Sequence, residues 1–474
     1  MVSLSSAVML LDGDGPAVED APGVATLDAM PNAPTERWRR TGHDLFGPEV
    51  AQTRVLAQND DVVIVSGTRA EPDAKSVMTA VDARTGEARW GAPREDWPSE
   101  CAISDNGRLA CVRNARDRGV VVSRVSFLDP STGREQRSEL VRSPGWSKIF
   151  AAGDGFLVIT DGTENIGLPE DRRPGDSSRY VLMRVDPRTQ LDRQASLVRF
   201  SSDGDRLWDA APPKNHSRAP IRSTEISRDL IVLGDTKSDG FSVYRIDDGE
   251  LVYTGENPAA TGSVSAMYAV YDGGFAITPD RASDAPRTEF FDTDGTEIGN
   301  VAGWGLTAFD SVVGQAPGIA ANTIPVLSAT RERIGVASAV IGGVRWEAPA
   351  GAPGVRAVVA TVLADDTLMV STHDPTGSAV QVFDTAHQAP LSTVPISFGQ
   401  SVMGFDGSRL VVSGRDPASR STAHVLVAYD VRTGAQSWQV LPQAPDSMWQ
   451  PIEPGLVLVS TASSDGGSVA RYAS

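Results

Sequence analysis

The chain has 474 residues, of which 45 are glycine and 31 proline, and its formal net charge is −18 at pH 7. This charge argues against a nucleic-acid-binding protein, whose affinity comes largely from Lys and Arg that neutralise phosphates, and against docking on anionic lipid. No stretch approaches the roughly 18 apolar residues that span a bilayer. The abundant Gly and Pro fit a protein that is built from many turns.

The first 35 residues show neither helical nor strand periodicity. Residues 1–11 contain a short apolar run without a basic start, so they are not a complete signal peptide. We interpret them either as the remnant of an export signal or membrane anchor, or as a ragged terminus. Residues 12–35 contain Gly-Asp-Gly-Pro, Ala-Pro-Gly and Pro-Asn-Ala-Pro, which predict a disordered linker. We therefore expect a single domain over residues 36–474.

One unit recurs from residue 36 onward. Its third strand is apolar and ends in Asp, a short turn ends in Gly, and a more polar fourth strand often closes on Trp. The clearest copies are residues 81–90 and 429–438. In such a turn the Asp side chain can accept backbone N–H bonds, and Gly takes the left-handed conformation that a residue with Cβ resists. The residues that we assign to these turns and strand ends are Asp82, Gly86, Trp90, Asp129, Gly133, Asp186, Asp247, Asp292, Trp346, Asp384, Asp430, Gly434 and Trp438.

The spacing of the turn Asp indicates the fold class. Its steps are 45 to 61 residues, apart from one step of 92, which hides a copy over residues 334–346 with Gly-Gly in place of the Asp turn. Four short strands per unit of about 40 to 50 residues predict an all-β protein, a β-propeller of four-stranded blades.

The ends of the chain indicate how the ring closes. After Trp438 the sequence offers two or three strands and no fourth, so the strand around Trp38 is predicted to complete the last blade. A literal count gives eight internal units and this composite blade. Because propellers typically carry about 4 to 8 blades, we predict eight and keep seven and nine as alternatives.

The two cysteines, Cys101 and Cys111, flank the hairpin turn Ser-Asp-Asn-Gly. Their near-symmetry about the turn places them opposite each other on adjacent strands, and we predict a disulfide and hence an oxidising compartment. The alternative is a pair of buried thiols in a cytosolic protein.

The motif apolar-Asp-x-x-Thr-Gly-x-x-x-Trp, complete at residues 81–90 and 429–438, resembles the repeat of quinoprotein-like (PQQ-like) β-propellers. That group includes quinoprotein alcohol dehydrogenases, the lipoprotein propeller of the outer-membrane barrel assembly machinery and many actinobacterial extracytoplasmic proteins. The resemblance implies that the Trp docks one blade onto the next, a role that would fall to Trp90, Trp346, Trp438 and Trp38. It also suggests an actinobacterial, extracytoplasmic and membrane-associated protein.

No set of residues predicts chemistry. The quinone enzymes that this repeat resembles show adjacent cysteines and a calcium-binding set, and neither can be assigned here. The five histidines have no metal-ligand spacing, and no nucleophile elbow is present. We therefore predict no catalytic residue, no metal site and no cofactor, a quinone included.

We expect a non-catalytic, monomeric interaction module of the cell envelope, secreted or membrane-anchored, that binds a protein or an envelope component. Its candidate contact segments are residues 165–178, residues 201–223 and the basic run over residues 113–124. Two alternatives remain: the ligand-sensing ectodomain of a receptor or kinase, and a PQQ- and calcium-dependent dehydrogenase.

Overall fold

The structure is a computed structural model, and a defined part of the chain is described. The described residues are 25–69, 76–95, 100–117, 120–141, 147–160, 196–211, 221–235, 240–255, 267–271, 273–279, 283–306, 324–351, 353–364, 367–374, 377–387, 389–396, 400–415, 424–441, 447–452, 455–460 and 465–473.

Three elements precede the first complete sheet: strand β1 (Ala25–Thr26), strand β2 (Thr35–Thr41) and helix α1 (Gly42–Phe46). Thr41 caps the helix, because its hydroxyl accepts from the Asp44 N–H at 3.0 Å while the Asp44 carboxylate accepts from the Thr41 N–H at 3.0 Å.

Eight sheets then follow in chain order, and we call them blades 1 to 8. Blades 1 and 2 contain β3 (Val50–Gln58), β4 (Val62–Arg69), β5 (Ser76–Asp82), β6 (Arg94–Glu95), β7 (Glu100–Ile103), β8 (Leu109–Asp117), β9 (Val120–Leu128) and β10 (Glu135–Val141). Blades 3 and 4 contain β11 (Ser147–Ala152), β12 (Gly155–Thr160), β13 (Ser196–Phe200), β14 (Arg206–Ala210), β15 (Ile221–Ile226), β16 (Leu230–Asp235), β17 (Phe241–Arg245) and β18 (Leu251–Gly255).

The second half of the chain repeats the arrangement. Blades 5 and 6 contain β19 (Met267–Tyr271), β20 (Gly274–Thr278), β21 (Arg287–Asp292), β22 (Glu297–Ala302), β23 (Trp304–Leu306), β24 (Ile324–Ser328), β25 (Arg333–Ser338) and β26 (Gly343–Pro349). Blades 7 and 8 contain β27 (Arg356–Ala364), β28 (Thr367–Asp374), β29 (Gly377–Asp384), β30 (Ala389–Pro395), β31 (Gln400–Phe405), β32 (Arg409–Arg415), β33 (His424–Asp430) and β34 (Gln436–Val440).

Blade 9 is built from both ends of the chain. Its strands are β35 (Ser447–Ile452), β36 (Gly455–Ser460), β37 (Ser468–Ala473) and, as the fourth, β2. β2 runs antiparallel to β37, with Thr35 opposite Ala473 and Thr41 opposite Ser468. The N-terminal strand therefore closes the ring, as the sequence predicts.

The prediction of eight blades is wrong, because the described residues form nine sheets. Residues 324–349 supply three strands of a blade of their own, blade 6, and the composite blade adds to the eight internal ones instead of replacing one. The literal repeat count, which was kept only as an alternative, is the correct number.

The position of each strand in the ring explains how apolar its sequence is. First strands of neighbouring blades lie against each other, for example β3 against β7 and β7 against β11, so first strands face the axis and fourth strands form the rim. Second and third strands are buried on both faces between two neighbouring blades, which explains continuous apolar runs such as that of β4. The core consequently consists of layers between blades; Phe127 of blade 2, for instance, packs on Phe156 and Phe200 of blade 3.

Two segments differ from the sequence interpretation. The third strand of blade 3 is β13, whereas Asp186 and the segment before it lie outside the described residues. Residues 201–210, which were expected to belong to a contact loop, form the turn and fourth strand of blade 3, and the loop candidate 165–178 lies outside the described part of the chain.

The N-terminal segment is also more ordered than expected. The chain packs against blades 8 and 9 from residue 25, where β1 adds in parallel to β31, with Ala25 opposite Gly404 and Thr26 opposite Phe405. Leu27 and Met30 are buried in the core layer between these two blades. Folded chain therefore begins about ten residues before the predicted boundary at residue 36.

Candidate functional site

The turns between third and fourth strands are held by the side chains that the repeat motif supplies. Asp82 Oδ1 accepts from the backbone N–H groups of Arg84 and Thr85, each at 2.9 Å. Asp430 does the same for Arg432 and Thr433, at 3.0 and 2.9 Å. The carboxylates of Asp129, Asp292 and Asp384 likewise accept backbone N–H bonds within their own turns.

The hydrogen bonds to Asp82 favour its ionised carboxylate. The guanidinium of Arg89 donates to Asp82 at 2.8 Å and, together with the turn N–H groups, lowers the pKa of that carboxyl to about 2. The Asp side chains of the repeat thus stabilise the turns in which they lie.

Blade 4 departs from the motif. Its turn Gly249 N–H donates to the carbonyl of Arg245, so Arg245 stands where Asp82 stands in blade 1, and Asp247 lies two residues further on. The Arg245 guanidinium binds Asp248 at 2.7 Å, Glu250 and, across the blade boundary, Asp294 of blade 5. The assignment of Asp247 to the motif position is therefore corrected, since Arg245 occupies it.

A bulge in the fourth strand aims one side chain at the next blade. In eight blades the pairing between third and fourth strands shifts by one residue at the same place, for example between Tyr429 opposite Gln436 and Ala428 opposite Trp438. We call the first paired residue after the bulge the docking position. In blade 1 we assign Trp90 to this position, because it lies as far beyond its turn glycine, Gly86, as Trp438 lies beyond Gly434. The other docking residues are Trp38, Arg137, Trp208, Tyr253, Gly299, Trp346, Ser392 and Trp438.

Three docking tryptophans bind the neighbouring turn in one geometry. The indole N–H donates to the carbonyl three residues before the turn glycine: Trp38 to Ala83, Trp90 to Pro130 and Trp208 to Ile246, each at 2.9 Å. Ser392 uses the same acceptor position with its hydroxyl, which donates to Val431 at 2.6 Å. An indole N–H in three junctions and a hydroxyl in a fourth thus donate to the same acceptor position.

The turn glycine leaves room for the indole ring. Gly86 has φ +69° and Gly133 has φ +70°, and a Cβ added at either would lie 2.7 Å from Trp38 or 2.5 Å from Trp90. Glycine is needed there for two reasons, the left-handed backbone and the close approach of the neighbouring blade.

Blade 9 has no covalent turn between its third and fourth strands, because β37 ends the described chain and β2 begins near its start. Trp438 of blade 8 therefore binds the N-terminal segment: its indole N–H donates to the Met30 carbonyl at 2.8 Å. Met30 supplies the acceptor that Ala83 or Pro130 supplies elsewhere, so the segment over residues 27–34 replaces a missing turn.

Asp406 holds this replacement in place. Its carboxylate is fully buried and accepts from the N–H of Met30 at 2.8 Å, of Ser408 at 2.9 Å and of Arg409 at 2.6 Å. Burial alone would raise the pKa of Asp406, and the three N–H donors outweigh it and lower that pKa. Sequence reasoning missed Asp406 and Met30, although the Asp-Gly pair at residues 406–407 is a turn signal that could have pointed to Asp406.

Trp346 is buried in the layer between blades 6 and 7, and its ring lies edge-on to Phe383. Cys101 and Cys111 lie directly opposite each other on β7 and β8, buried, and the structure joins them by a disulfide with a Cα–Cα distance of 4.0 Å. In the basic run, Arg124 donates to Glu135 at 2.6 Å and to Ser138 at 3.0 Å, contacts of an ordinary hairpin.

In the described part of the chain, no group of three or more His, Cys, Asp or Glu side chains is arranged to hold a metal ion. Among the same residues no helix is both long and apolar enough to cross a membrane.

The fold of this chain is similar to that of several solved structures whose sequence identity to it is low. BamB from Moraxella catarrhalis is 13% identical, with a TM-score of 0.44, over 93% of this chain and 98% of that one. Sqt1 from Saccharomyces cerevisiae is 10% identical, with a TM-score of 0.44, over 93% and 100%. A quinohemoprotein alcohol dehydrogenase from Pseudomonas putida is 11% identical, with a TM-score of 0.37, over 89% and 75%. No curated protein sequence matches the chain.

A family model matches the sequence directly. It is described as a conjugation-associated 9-bladed beta-propeller domain, and it covers residues 215–468, more than half of the chain. The blade number in that description agrees with the nine sheets of the structure. The chain therefore belongs to the family of conjugation-associated nine-bladed β-propeller domains.

Proposed function

We propose that this chain is a non-catalytic, monomeric interaction disc that acts outside the cytoplasm, in the cell envelope, as part of the machinery of conjugation. The observation that carries the proposal is the match to the conjugation-associated nine-bladed family. A rigid ring with exposed turns and rim strands is a scaffold suited to presenting binding surfaces.

The side chains at the repeated motif positions support a structural role for the motif. Asp82, Asp129 and Asp430 hold turns, and the docking tryptophans hold blades together. The disulfide between Cys101 and Cys111 supports an oxidising compartment, because such bonds persist outside the reducing cytosol.

The test is a deletion of the gene in the source organism, complemented with the full chain. We expect conjugative transfer to fall on deletion and to return with the wild-type gene. Crosslinking in conjugating cells, followed by mass spectrometry under non-reducing conditions, should identify a discrete protein or envelope partner and an intact disulfide.

Normal transfer in the deletion strain would refute the link to conjugation. A free Cys101 thiol in protein isolated from cells would refute the extracytoplasmic placement. Saturable binding of PQQ with Ca²⁺ to the purified chain would refute the non-catalytic assignment and revive the dehydrogenase alternative.

A further inference from the structure

The rim carries a row of exposed aliphatic side chains on consecutive blades. Leu207 on β14 is 56% exposed, Leu251 on β18 is 40% exposed and Ile298 on β22 is 47% exposed. The row continues into the blade 6 turn with Val340 and Ile341, at 73% and 64% exposure. Exposed aliphatic side chains that recur on four consecutive blades favour an interaction surface, whereas isolated ones need no explanation.

The blades that carry this row are in direct contact with one another. Trp208 packs on Gly249, so the fourth strand of blade 3 touches the turn of blade 4. Arg245 of blade 4 pairs with Asp294 of blade 5. At the next junction a Cβ placed on Gly299 would lie 3.3 Å from the Gly342 Cα, so the fourth strand of blade 5 touches the turn beside Ile341. We call the surface formed by residues 201–210, 245–255, 292–302 and 338–343 the rim arc.

Charge sets the rim arc apart from the rest of the rim. The turns and fourth strands of blades 3, 4 and 5 hold nine Asp and Glu residues and two Arg residues, Arg206 and Arg245. The corresponding segments of the other six blades hold ten acidic residues and ten arginines. Arg108, Arg137 and Arg287 reach the arc from adjacent strands, at Asp203, Asp205 and Glu297, and carboxylates still outnumber guanidinium groups.

The aliphatic side chains and the negative charge of the rim arc together indicate which kind of partner could bind there. An aliphatic row between excess carboxylates complements a polypeptide segment that alternates aliphatic side chains with Lys or Arg. The same negative charge repels nucleic acid and anionic lipid, which leaves a basic protein segment as the fitting partner. We infer that the rim arc is the docking surface of this propeller and that it binds an aliphatic, lysine- or arginine-rich segment of a partner protein. This inference rests on the proposed interaction function and names its surface and the chemistry of the partner.

The test uses the purified full chain and a defined probe, a synthetic 14-residue peptide of alternating Lys and Leu with a photoreactive group at its centre. A peptide of alternating Lys and Ser controls for charge alone, and one of alternating Glu and Leu controls for apolar contact alone. We expect the Lys–Leu peptide to bind best, to weaken as salt rises, and to crosslink within residues 201–210, 245–255, 292–302 or 338–343.

Variants separate the two components of the surface. Leu207→Ser with Ile298→Ser and Ile341→Ser should weaken binding of the Lys–Leu peptide about tenfold while leaving the weak Lys–Ser binding unchanged. Asp203→Asn with Asp248→Asn and Asp294→Asn should weaken both and flatten the salt dependence. The matched control is Leu441→Ser, an equally exposed leucine beyond the fourth strand of blade 8, which should change nothing.

Crosslinks outside the rim arc, or equal binding by all variants, would overturn the inference. Equal binding of the Lys–Ser and Lys–Leu peptides would reduce the surface to non-specific charge and overturn it as well. Because the assay uses purified protein, such a failure would leave the transfer phenotype of the deletion strain, and thus the proposed function, untouched. Thermal stability of each variant shows that it is folded.

Discussion

Two blade junctions of this ring perform the same task with different parts of the chain. Between blades 1 and 2, Trp90 binds the Pro130 carbonyl of a turn that lies within one continuous blade. Between blades 8 and 9, Trp438 binds the Met30 carbonyl, more than 400 residues away in sequence, with Asp406 holding Met30 from the other side. The comparison shows that the docking geometry is set by the position of one carbonyl, and that a composite blade must obtain this carbonyl from elsewhere.

The strongest way to break the comparison is to remove the substitute turn. A chain that begins at residue 35 keeps β2 but loses Leu27 and Met30, whose burial contributes about 3–6 kcal/mol in total to the free energy of unfolding. We expect urea unfolding to show a loss of this size. An unchanged urea midpoint would mean that the N-terminal segment contributes nothing to closure.

An ordinary junction can be broken from its glycine side. Gly133→Ala places a Cβ 2.5 Å from the Trp90 ring at a φ of +70°, so it adds steric overlap to backbone strain. Gly107→Ala is the matched control, because it has a φ of +77° and nothing within 4 Å of the new Cβ. We expect the control to cost about 1 kcal/mol and Gly133→Ala to cost about 2–4 kcal/mol. Equal thermal shifts would show that the close approach of the indole is unimportant.

Two matched variants can compare how much the carbonyls of Pro130 and Met30 contribute to their junctions. Trp90→Phe and Trp438→Phe each remove one indole N–H and keep most of the apolar contact, so each should cost about 1 kcal/mol, the usual net worth of one hydrogen bond. Chemical denaturation of both variants checks this. A much larger loss for Trp438→Phe would indicate that the Met30 contact has no equivalent in the ordinary junctions.

The ionisation of Asp406 provides a pH-dependent test of the closure between blades 8 and 9. The pKa of Asp406 is lowered in the folded chain, so its contribution to stability is fully present above its unfolded pKa and is lost as the pH falls through the folded pKa. We expect Asp406→Asn to be less stable than the wild type at pH 7, by about 1–3 kcal/mol. The difference should shrink on acidification below about pH 4, near the ordinary Asp pKa.

Urea titrations of both proteins at a series of pH values provide the measurement. The Asp384→Asn variant serves as a control, since that carboxylate holds an ordinary turn and does not contact the N-terminal segment. A stability difference between wild type and Asp406→Asn that does not change with pH would contradict an ionised Asp406 at the closure.

Local sequence determined the repeat. Third strands that end in Asp, left-handed Gly at positions 86, 133 and 434, and the hairpin between Cys101 and Cys111 are short-range features, and short-range chemistry predicts them. The same reasoning gave the four-stranded blade and the return of the N-terminal strand. It misplaced the motif position in blade 4, where Asp247 stands just before the turn glycine. The sequence does not show that the N–H of this glycine, Gly249, donates to the carbonyl of Arg245.

Only the tertiary structure decided the rest. The repeats counted in the sequence number nine, but only the closed ring shows that each of them, the composite one included, forms a separate blade. The roles of Met30 and Asp406 depend on contacts across more than 370 residues, and the rim arc exists only because blades 3 to 6 are neighbours in the ring. Contacts within a hairpin join residues that are close in sequence and can be predicted from it. Contacts between distant blades form only when the ring closes and brings remote segments together.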